Sequence, residues 1–358
     1  MIMKGLSIFL AMLLLLAACK EIDEESNADG NGITVVRQDL AFDPQSRTGT
    51  LEFQANGTVS ASLTSDWCTA VVNGNVVSVT VTDNMSIEGR VAILTLTNGR
   101  NSLKVPVQQR GMAMPALPMT RYHAENAGSK KMYLLQHDFE AYLSTEENWI
   151  HPVLEGDSLT LTIDRNTTGQ IRRGELAFSC AGVLDTLRIV QYDIQKNIIG
   201  AYYLAGDNAG NPYRIGFELN KDKDGYYMDW SLNDKWSAAN RIPVVFDEEN
   251  CSLTISSAIE FYYQNKDYER GFFCETEGST TTMATSSDVS VTASLYSNTS
   301  LSNATYGPLE DNGSWSGHTV NGFALRTSSV GGRLVKTAYT LTDIYLLRVG
   351  PLGSLGKK

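Results

Sequence analysis

Two tryptophans in turn-rich segments are the residues of this sequence best suited to hold a ligand. Trp236 stands in the segment Asn-Asp-Lys-Trp-Ser, and Trp315 stands in Asn-Gly-Ser-Trp-Ser. An indole exposed on a loop can stack on a sugar ring while neighbouring amides and carboxylates bind its hydroxyl groups. The alternative is that each loop folds back and buries its indole. Trp236 and Trp315 are therefore the candidate glycan-binding residues.

Residues that could perform acid–base chemistry show no catalytic spacing. The histidines occur without H-x-H or H-E-x-x-H motifs, and no G-x-S-x-G elbow is found. The acidic pairs Glu146-Glu147 and Glu248-Glu249 fall in predicted turns, where solvated surface carboxylates are the usual outcome. Glycosidase carboxylates can be distant in sequence, so a hydrolase would require two of them to face one cleft. We expect no catalytic residues and no enzymatic activity.

One segment has part of the pattern of a metal site. Asn220 to Gly225 reads N-x-D-x-D-G, as in the first half of a calcium loop. The twelfth position, which should supply a bidentate carboxylate, is Ser231, and the segment lies between two predicted strands. A polar hairpin turn is the favoured interpretation, and we expect no metal and no cofactor.

The cysteines indicate export rather than metal binding. Leu16-Ala17-Ala18-Cys19 ends a short apolar run that begins near Leu6 after one lysine, Lys4, and this arrangement resembles a bacterial lipobox. The run is too short for a permanent transmembrane helix and is typical of a signal peptide, residues 1–18. Cys19 is then the predicted lipidation site, which would anchor the protein to the membrane. The later cysteines show no metal-ligand spacing and are expected as buried apolar residues, with a Cys251–Cys274 disulfide as the alternative; they are Cys68, Cys180, Cys251 and Cys274.

Charge narrows the range of partners. The formal net charge is −11, and no cluster of Lys and Arg reverses it locally, so nucleic acid is not an expected partner. Residues 19–32 form an acidic, apolar-poor tether that begins Lys-Glu-Ile-Asp-Glu-Glu after Cys19. This start looks like the export signal that Bacteroidetes use to place lipoproteins on the outer face of the outer membrane; the alternative is an ordinary polar linker.

An internal repeat organises the next part of the chain. Residues 67–109 align without a gap onto residues 149–191, at an offset of 82, with eight identical positions. The identical pairs are Trp67/Trp149, Val71/Val153, Gly74/Gly156, Thr80/Thr162, Asn84/Asn166, Arg90/Arg172, Leu94/Leu176 and Gln109/Gln191. Within each copy, apolar residues alternate with polar ones over short segments separated by turn residues. This pattern predicts two tandem immunoglobulin-like β-sandwiches, residues 33–111 and 112–193.

The repeated residues also resemble a known family. Three features of each copy are similar to the BACON domain of Bacteroidetes surface proteins. They are a tryptophan after Asp66 or Asn148, an Arg-x-Ala/Gly-x-Leu strand and a terminal apolar-x-Gln. The first copy carries the whole pattern; the second has Gly174 in place of Ala92 and ends without the glycine of the first. The resemblance implies fold and cell-surface context, but the family has no agreed set of ligand residues.

The repeat also bears on Trp67 and Trp149. A residue at the same place in both copies most often serves the fold that the copies share, so core packing is favoured over a sugar platform for both tryptophans. Arg90 and Arg172 stand at strand starts, where a turn contact or a surface ion pair is the expected role.

Residues 194–358 differ in composition from the repeat. They contain 21 of the 32 aromatic residues, short alternating strands and Gly-, Asn- and Ser-rich turns. An antiparallel β-barrel or a further sandwich is expected, and its opening resembles C-terminal domains of other Bacteroidetes lipoproteins, some of them lipocalin-like.

Together these features predict an all-β, lipid-anchored protein on the cell exterior that captures a polysaccharide or glycoconjugate without cleaving it. The alternative is a structural or adhesive protein whose sandwiches act as spacers and whose C-terminal domain binds a protein, such as another surface lipoprotein.

Overall fold

The computed structural model describes residues 32–99, 101–230, 241–262, 267–301, 304–329 and 334–355. Within them, no helix has the length and apolar character needed to cross a membrane. The signal peptide, Cys19, nearly all of the tether and Trp236 lie outside the described residues, so the roles assigned to them stay predictions. The chain divides into two compact units, Met1–Met114 and Pro115–Lys358.

The first unit contains a β-sandwich of two four-stranded sheets, ordered β1-β3-β6-β5 and β2-β8-β7-β4. Its strands are β1 (Thr34–Gln38), β2 (Ala41–Phe42), β3 (Arg47–Gln54), β4 (Ser60–Leu63), β5 (Cys68–Asn73), β6 (Val76–Val81), β7 (Arg90–Asn98) and β8 (Asn101–Gln109). Alternate residues of facing strands point inward, so that side chains such as Val77, Val79 and Leu94 are fully buried between the sheets.

The second unit opens with the second copy of the sandwich. Its sheets are ordered β10-β13-β12 and β11-β14-β15-β9. Its strands are β9 (Arg121–Ala124), β10 (Ser129–Leu134), β11 (Ala141–Ser144), β12 (Ile150–Glu155), β13 (Ser158–Ile163), β14 (Arg172–Cys180) and β15 (Val183–Gln191). The immunoglobulin-like fold predicted for both copies is confirmed.

The repeat offset holds in three dimensions as well as in sequence. In the first sandwich, Ala41 of β2 pairs in parallel with Gln108 of β8. In the second, His123 of β9 pairs in parallel with Val190 of β15, and both residues lie 82 positions further along the chain. Any position in one copy can therefore be compared directly with its counterpart in the other.

A short π-helical turn (Ile194–Ile198) leads from the second sandwich into an antiparallel β-barrel. The remaining strands are β16 (Gly200–Asn208), β17 (Asn211–Asp222), β18 (Gly225–Asp229), β19 (Arg241–Asp247), β20 (Ser252–Ser256), β21 (Ile259–Tyr262), β22 (Asp267–Glu277), β23 (Thr280–Met283), β24 (Ser290–Ser294), β25 (Tyr296–Asn298), β26 (Ala304–Asp311), β27 (Gly322–Ser329) and β28 (Leu334–Gly350). A 3₁₀ turn (Thr299–Leu301) lies between β25 and β26.

The barrel closes because β28 pairs with both β16 and β26. The closed circuit is β28-β16-β17-β18-β19-β20-β24-β26, while β22 and β27 extend the sheet from the other half of the long strand β28. Its interior is filled by a stack of aromatic rings in which Tyr202 and Trp230 flank Phe217 at centroid distances of 5.5 and 5.0 Å. Of the barrel and the sandwich expected for this region, the structure contains the barrel, and its centre is a packed core.

Candidate binding cleft at the junction of sandwich and barrel

The second sandwich and the barrel share one hydrophobic core. Ile171, Val190 and Tyr192 belong to the sandwich by sequence, yet they are buried in the same cluster as the barrel side chains. The Tyr192 ring packs edge-on against Phe246 of β19, and its hydroxyl donates to the carbonyl of Glu248 at 2.8 Å. Burial raises the pKa of the Tyr192 hydroxyl, so the group remains a neutral donor.

Polar contacts fix the same junction. The Arg173 guanidinium of β14 donates to the backbone carbonyls of Asn250, at 3.3 Å, and Leu295, at 2.6 Å. The backbone N–H of Ile171 donates to the Ser297 hydroxyl at 2.8 Å. The barrel is thus held to the end of the sandwich by directed bonds as well as by apolar packing.

A cleft opens beside this junction. It has a volume of about 730 Å³ and lies between the outer face of β14 and β15, the β11–β12 loop, and the turn that joins β19 to β20. We call it the junction cleft; its lining residues include Ser144, Glu146, Glu147, Arg173, Glu175, Arg188, Glu249 and Asn250. More of its accessible surface is apolar than polar, and a few charged and amide side chains project into it, which is the usual composition of a small-molecule site.

The structure brings together three glutamates from the two acidic pairs that the sequence placed in separate turns. Glu146 and Glu147 line the junction cleft together with Glu249. Two carboxylates in the cleft already have partners: Glu147 accepts from the Trp149 indole at 2.7 Å, and Glu175 pairs with Arg188 at 3.4 Å. Glu146 and Glu249 are exposed to solvent.

Carboxylates elsewhere in the second unit are held in the ionised state. The Lys221 ammonium, 2.8 Å from Glu248, lowers the pKa of that carboxyl group, with a further hydrogen bond from Tyr226 at 2.7 Å. Arg241 likewise lowers the pKa of Asp222, and His318 lowers the pKa of Glu275. These shifts run opposite to the direction that a general acid requires at neutral pH.

The repeated tryptophans belong to a structural unit present in both copies. The guanidinium of Arg90 lies 4.5 Å from the Trp67 ring centre, and that of Arg172 lies 4.3 Å from the Trp149 ring centre. Each arginine also donates to the glutamine that ends the copy, Gln109 at 2.9 Å and Gln191 at 2.7 Å. We call each set of three residues a Trp–Arg–Gln unit.

The Trp–Arg–Gln units answer two questions that the sequence left open. Trp149 is buried and Trp67 packs against the core of the first sandwich, so core packing is the role of both rings. The arginines make the expected turn contacts, with Arg90 donating to the Thr82 carbonyl at 2.7 Å. They also cover the indole faces, a cation–π contact that sequence reasoning missed.

Trp315 lies in the β26–β27 loop and is partly buried against the barrel core. One ring neighbour is His318, at a centroid distance of 4.4 Å, and the His318 Nδ1 contacts Glu275 at 2.7 Å. Its loop is also held by the bond from Ser290 N–H to the Ser314 hydroxyl, at 2.9 Å. Trp315 is therefore a half-exposed ring in a fixed loop, and its role as a ligand residue stays a prediction.

The Asn220–Gly225 segment is a hairpin turn. Asp222 of β17 pairs directly with Gly225 of β18, which leaves a two-residue connection. The Asp222 carboxylate is engaged by Arg241 and by the backbone N–H of Asp224. Across the part of the chain that the structure describes, no group of three His, Cys, Asp or Glu side chains could hold a metal ion.

The four cysteines after Cys19 are buried free thiols, as the sequence analysis favoured; they are Cys68, Cys180, Cys251 and Cys274. Burial raises the pKa of both Cys251 and Cys274 to about 12. Both thiols are therefore protonated at neutral pH, and protonated thiols are poor nucleophiles and metal ligands.

Comparison with protein families places the cleft on a recognised domain. Residues 141–192, from β11 to the end of β15, match the family model BACON, described as "Putative binding domain, N-terminal". Residues 141–192 are a BACON domain. The match falls on the second copy, the one that departs from the repeat pattern and contributes a wall of the junction cleft. A search of curated proteins found no match.

Solved structures provide only distant likenesses. An endo-fucoidan hydrolase from glycoside hydrolase family 107 aligns at 8% identity, with 47% of this chain and 29% of that chain covered and a TM-score of 0.25. A Bacteroides ovatus GH5 xyloglucanase in complex with a XXXG heptasaccharide aligns at 22% identity over 27% of this chain and 22% of that one, with a TM-score of 0.21. A three-domain immunoglobulin segment of titin aligns at 7% identity over 55% and 86%, with a TM-score of 0.28. These scores are too low to carry a statement about function.

Sequence reasoning missed the residues on the outer sheet face that line the junction cleft. A signal for them is nevertheless present where the two copies differ. Arg173, Glu175 and Arg188 occupy the positions of Val91, Ile93 and Pro106 in the first copy. A charged set that appears in only one of two otherwise similar repeats indicates a surface with its own role.

Proposed function

We propose that this protein is a lipid-anchored protein of the outer membrane, facing the cell exterior, that captures a glycan without cleaving it. The observation that supports the proposal is the junction cleft, a cavity of about 730 Å³ with charged and amide side chains on a largely apolar surface, at the outer sheet face of a BACON domain. Cavities of this size hold small ligands, and the paired charges of the lining suit neutral hydroxyl groups.

The non-catalytic part of the proposal rests on how the carboxylates are occupied. Glu147 and Glu175 each have a partner, and Glu248 is held ionised by Lys221. Catalysis would require one carboxyl group to stay protonated near neutral pH while another attacks or activates water. Incubating captured oligosaccharide with the protein and measuring released reducing ends should therefore show no turnover; turnover abolished by Glu249→Gln would contradict this part.

The binding test is a glycan array probed with soluble protein that starts at Ile33. The double variant Glu175→Ala, Arg188→Ala removes both members of an exposed ion pair and leaves no unpaired charge. It should weaken binding at least tenfold, equivalent to about 1.4 kcal/mol. Lys104→Ala, on an exposed position of β8 in the first sandwich, is the matched control and should bind like the unmodified protein.

Two further variants separate the sites. If Trp236→Ala or Trp315→Ala abolishes binding while the cleft variant does not, glycan capture is retained and its site moves to the barrel loops. If no glycan binds, the alternative of a structural or adhesive protein with a protein partner replaces the proposal.

The location is tested independently of the ligand. Cys19→Ala should abolish incorporation of labelled fatty acid and release the protein from the membrane fraction. Protease added to intact cells should remove the anchored protein, whereas resistance would place it on the inner face.

A further inference from the structure

The second sandwich lacks a strand that covers one sheet edge of the first. In the first sandwich, β1 pairs with β3, with Val35 opposite Phe53. The counterpart of β3 is β10, and among the described strands β10 pairs only with β13. The segment at the position of β1, residues 116–120, forms no strand.

In the second copy this segment makes its hydrogen bonds elsewhere. Pro118 stands at the position of Val36, which lies at the β-bulge of β1 and has no pair in β3, so the proline alone does not account for the missing strand. The segment follows β15 instead, because Arg188 N–H donates to the Thr120 carbonyl at 3.0 Å. In the first sandwich the counterpart of Arg188 is Pro106, which cannot make that bond, and the chain pairs with β3.

The uncovered edge presents backbone groups and apolar side chains. Leu135 N–H donates to the Asp157 carbonyl, which fixes the residues of β10 that bond to β13. Hydrogen-bonded pairs alternate with non-bonded pairs along an antiparallel ladder. The N–H and C=O groups of Lys130, Met132 and Leu134 therefore point away from β13, toward the open edge. The side chains of Met132 and Leu134 are 69% and 67% exposed. A row of unpaired backbone groups flanked by exposed apolar side chains is a template for another strand.

A hollow lies between the two open edges, β10 and β9. Its volume is about 640 Å³, and it is lined by Met119, Thr120, Arg121, Tyr122, His123, Lys131, Glu248 and Glu249. In the first sandwich the chain itself crosses this region: Gly49 is the counterpart of Lys131, and a Cβ there would lie 2.0 Å from the Asp39 carbonyl oxygen. Within the described residues the buried Tyr133 hydroxyl has no hydrogen-bond partner.

We propose that β10 accepts an extended acidic strand donated by a partner protein, antiparallel to β10, as β1 is to β3 in the first sandwich. The edge Ser129–Leu134 carries Lys130 and Lys131 and no acidic residue, although the whole chain has a formal net charge of −11. Pairing of two β10 strands from two copies would bring four lysines together, which is unfavourable. An acidic partner strand would neutralise them and bond to the free backbone row. The edge Ser129–Leu134 contributes no residue to the junction cleft, although the hollow beside it shares Glu249 with the cleft.

The proposal is tested with soluble protein starting at Ile33 and fluorescent nine-residue peptides that alternate glutamate with valine or threonine. The acidic peptide should bind in a fluorescence anisotropy titration. A version with lysine for glutamate and a version with central prolines should not bind, because the first repels the edge and the second lacks the N–H groups.

Variants locate the binding. The double variant Lys130→Glu, Lys131→Glu should weaken peptide affinity about tenfold through reversal of two partly exposed charge contacts. Lys104→Glu, a single charge reversal at an exposed position of β8, should leave the affinity unchanged. Bound peptide should slow hydrogen exchange at the amides of Met132 and Leu134, while the counterparts Thr50 and Glu52, already covered by β1, should not change.

Three results would overturn the proposal. The acidic peptide does not bind; or it binds equally well to the Lys130→Glu, Lys131→Glu variant; or the unmodified protein self-associates and thereby protects the β10 amides. The last result would assign the edge to a second copy of this chain.

Discussion

The two sandwiches have the same fold, but they differ in what their outward surfaces meet. Each is held by a Trp–Arg–Gln unit at the same internal positions. At other positions, the residues of the second copy that contact the barrel are replaced by different residues in the first copy. The pairs, second copy first, are Ile171 and Gly89, Arg173 and Val91, Val190 and Gln108, and Tyr192 and Arg110. Arg110 is exposed, whereas its counterpart Tyr192 is fully buried. Inward residues thus preserve the fold, and outward residues determine which neighbour the domain acquires.

Removing each tryptophan is the largest expected perturbation of what the copies share. Trp149→Ala should lower the unfolding free energy of the second unit by about 3–5 kcal/mol, because a buried ring and its arginine cover are lost. Trp67→Ala should act on the first unit alone and by less, because its ring is only partly buried. Denaturant unfolding followed by hydrogen exchange distinguishes the units; equal effects of both variants on both units would show that they do not unfold separately.

Exchanging glycine and alanine at Gly174 and Ala92, where the second copy departs from the family pattern, should have a smaller effect. A Cβ at Gly174 would lie 2.5 Å from the Glu147 Cγ and 2.8 Å from the Ile150 Cδ1. Gly174→Ala should therefore destabilise the second unit by about 1–3 kcal/mol. The reciprocal Ala92→Gly should cost the first unit about 0.5–1 kcal/mol through strand entropy. If Gly174→Ala leaves the melting temperature unchanged, Trp149 and Glu147 can shift to make room for the added methyl group.

Arg173→Ala tests the junction itself. It removes two bonds to barrel carbonyls and should reduce stability by about 1–3 kcal/mol. Val91→Ala, at the corresponding exposed position, should stay within about 0.5 kcal/mol. The informative measurement is hydrogen exchange at the backbone amides of β19 and β20. Loss of protection there would confirm that the barrel is coupled to the sandwich. Loss of protection confined to β14 would refute the coupling.

The smallest effect is a pH dependence of the second unit. Lys221 holds the pKa of Glu248 below the ordinary value of 4.5. The stability that this carboxylate contributes is therefore complete above about pH 4.5 and is lost as the pH falls through the lower folded pKa. Glu248→Gln should flatten the acid limb of the second unit's stability curve in denaturant titrations between pH 3 and 5. An unchanged acid limb would assign that dependence to other carboxylates.

Local patterns in the chain predicted much of the fold. Alternation such as Val77, Val79 and Val81 buries one face of a strand in any sandwich, and the 82-residue repeat extended the argument to the second copy. Trp149 could be assigned to the core because its counterpart stands at the same place. By contrast, Trp315 could not be placed from its loop, since its ring neighbour His318 is held by Glu275 of β22, a distant strand.

Residue patterns were enough to show that this protein is built of strands, that one domain is duplicated and that an aromatic-rich β-domain follows. The folded chain was needed to show that the second copy shares a core with the barrel, that the acidic turns at Glu146 and Glu249 line one cleft, and that β10 is an open edge. The difference lies in the range of the interactions. Strand periodicity and proline placement act within a few residues, whereas Arg173 reaches Leu295 across 122 positions through contacts that have no period in the sequence.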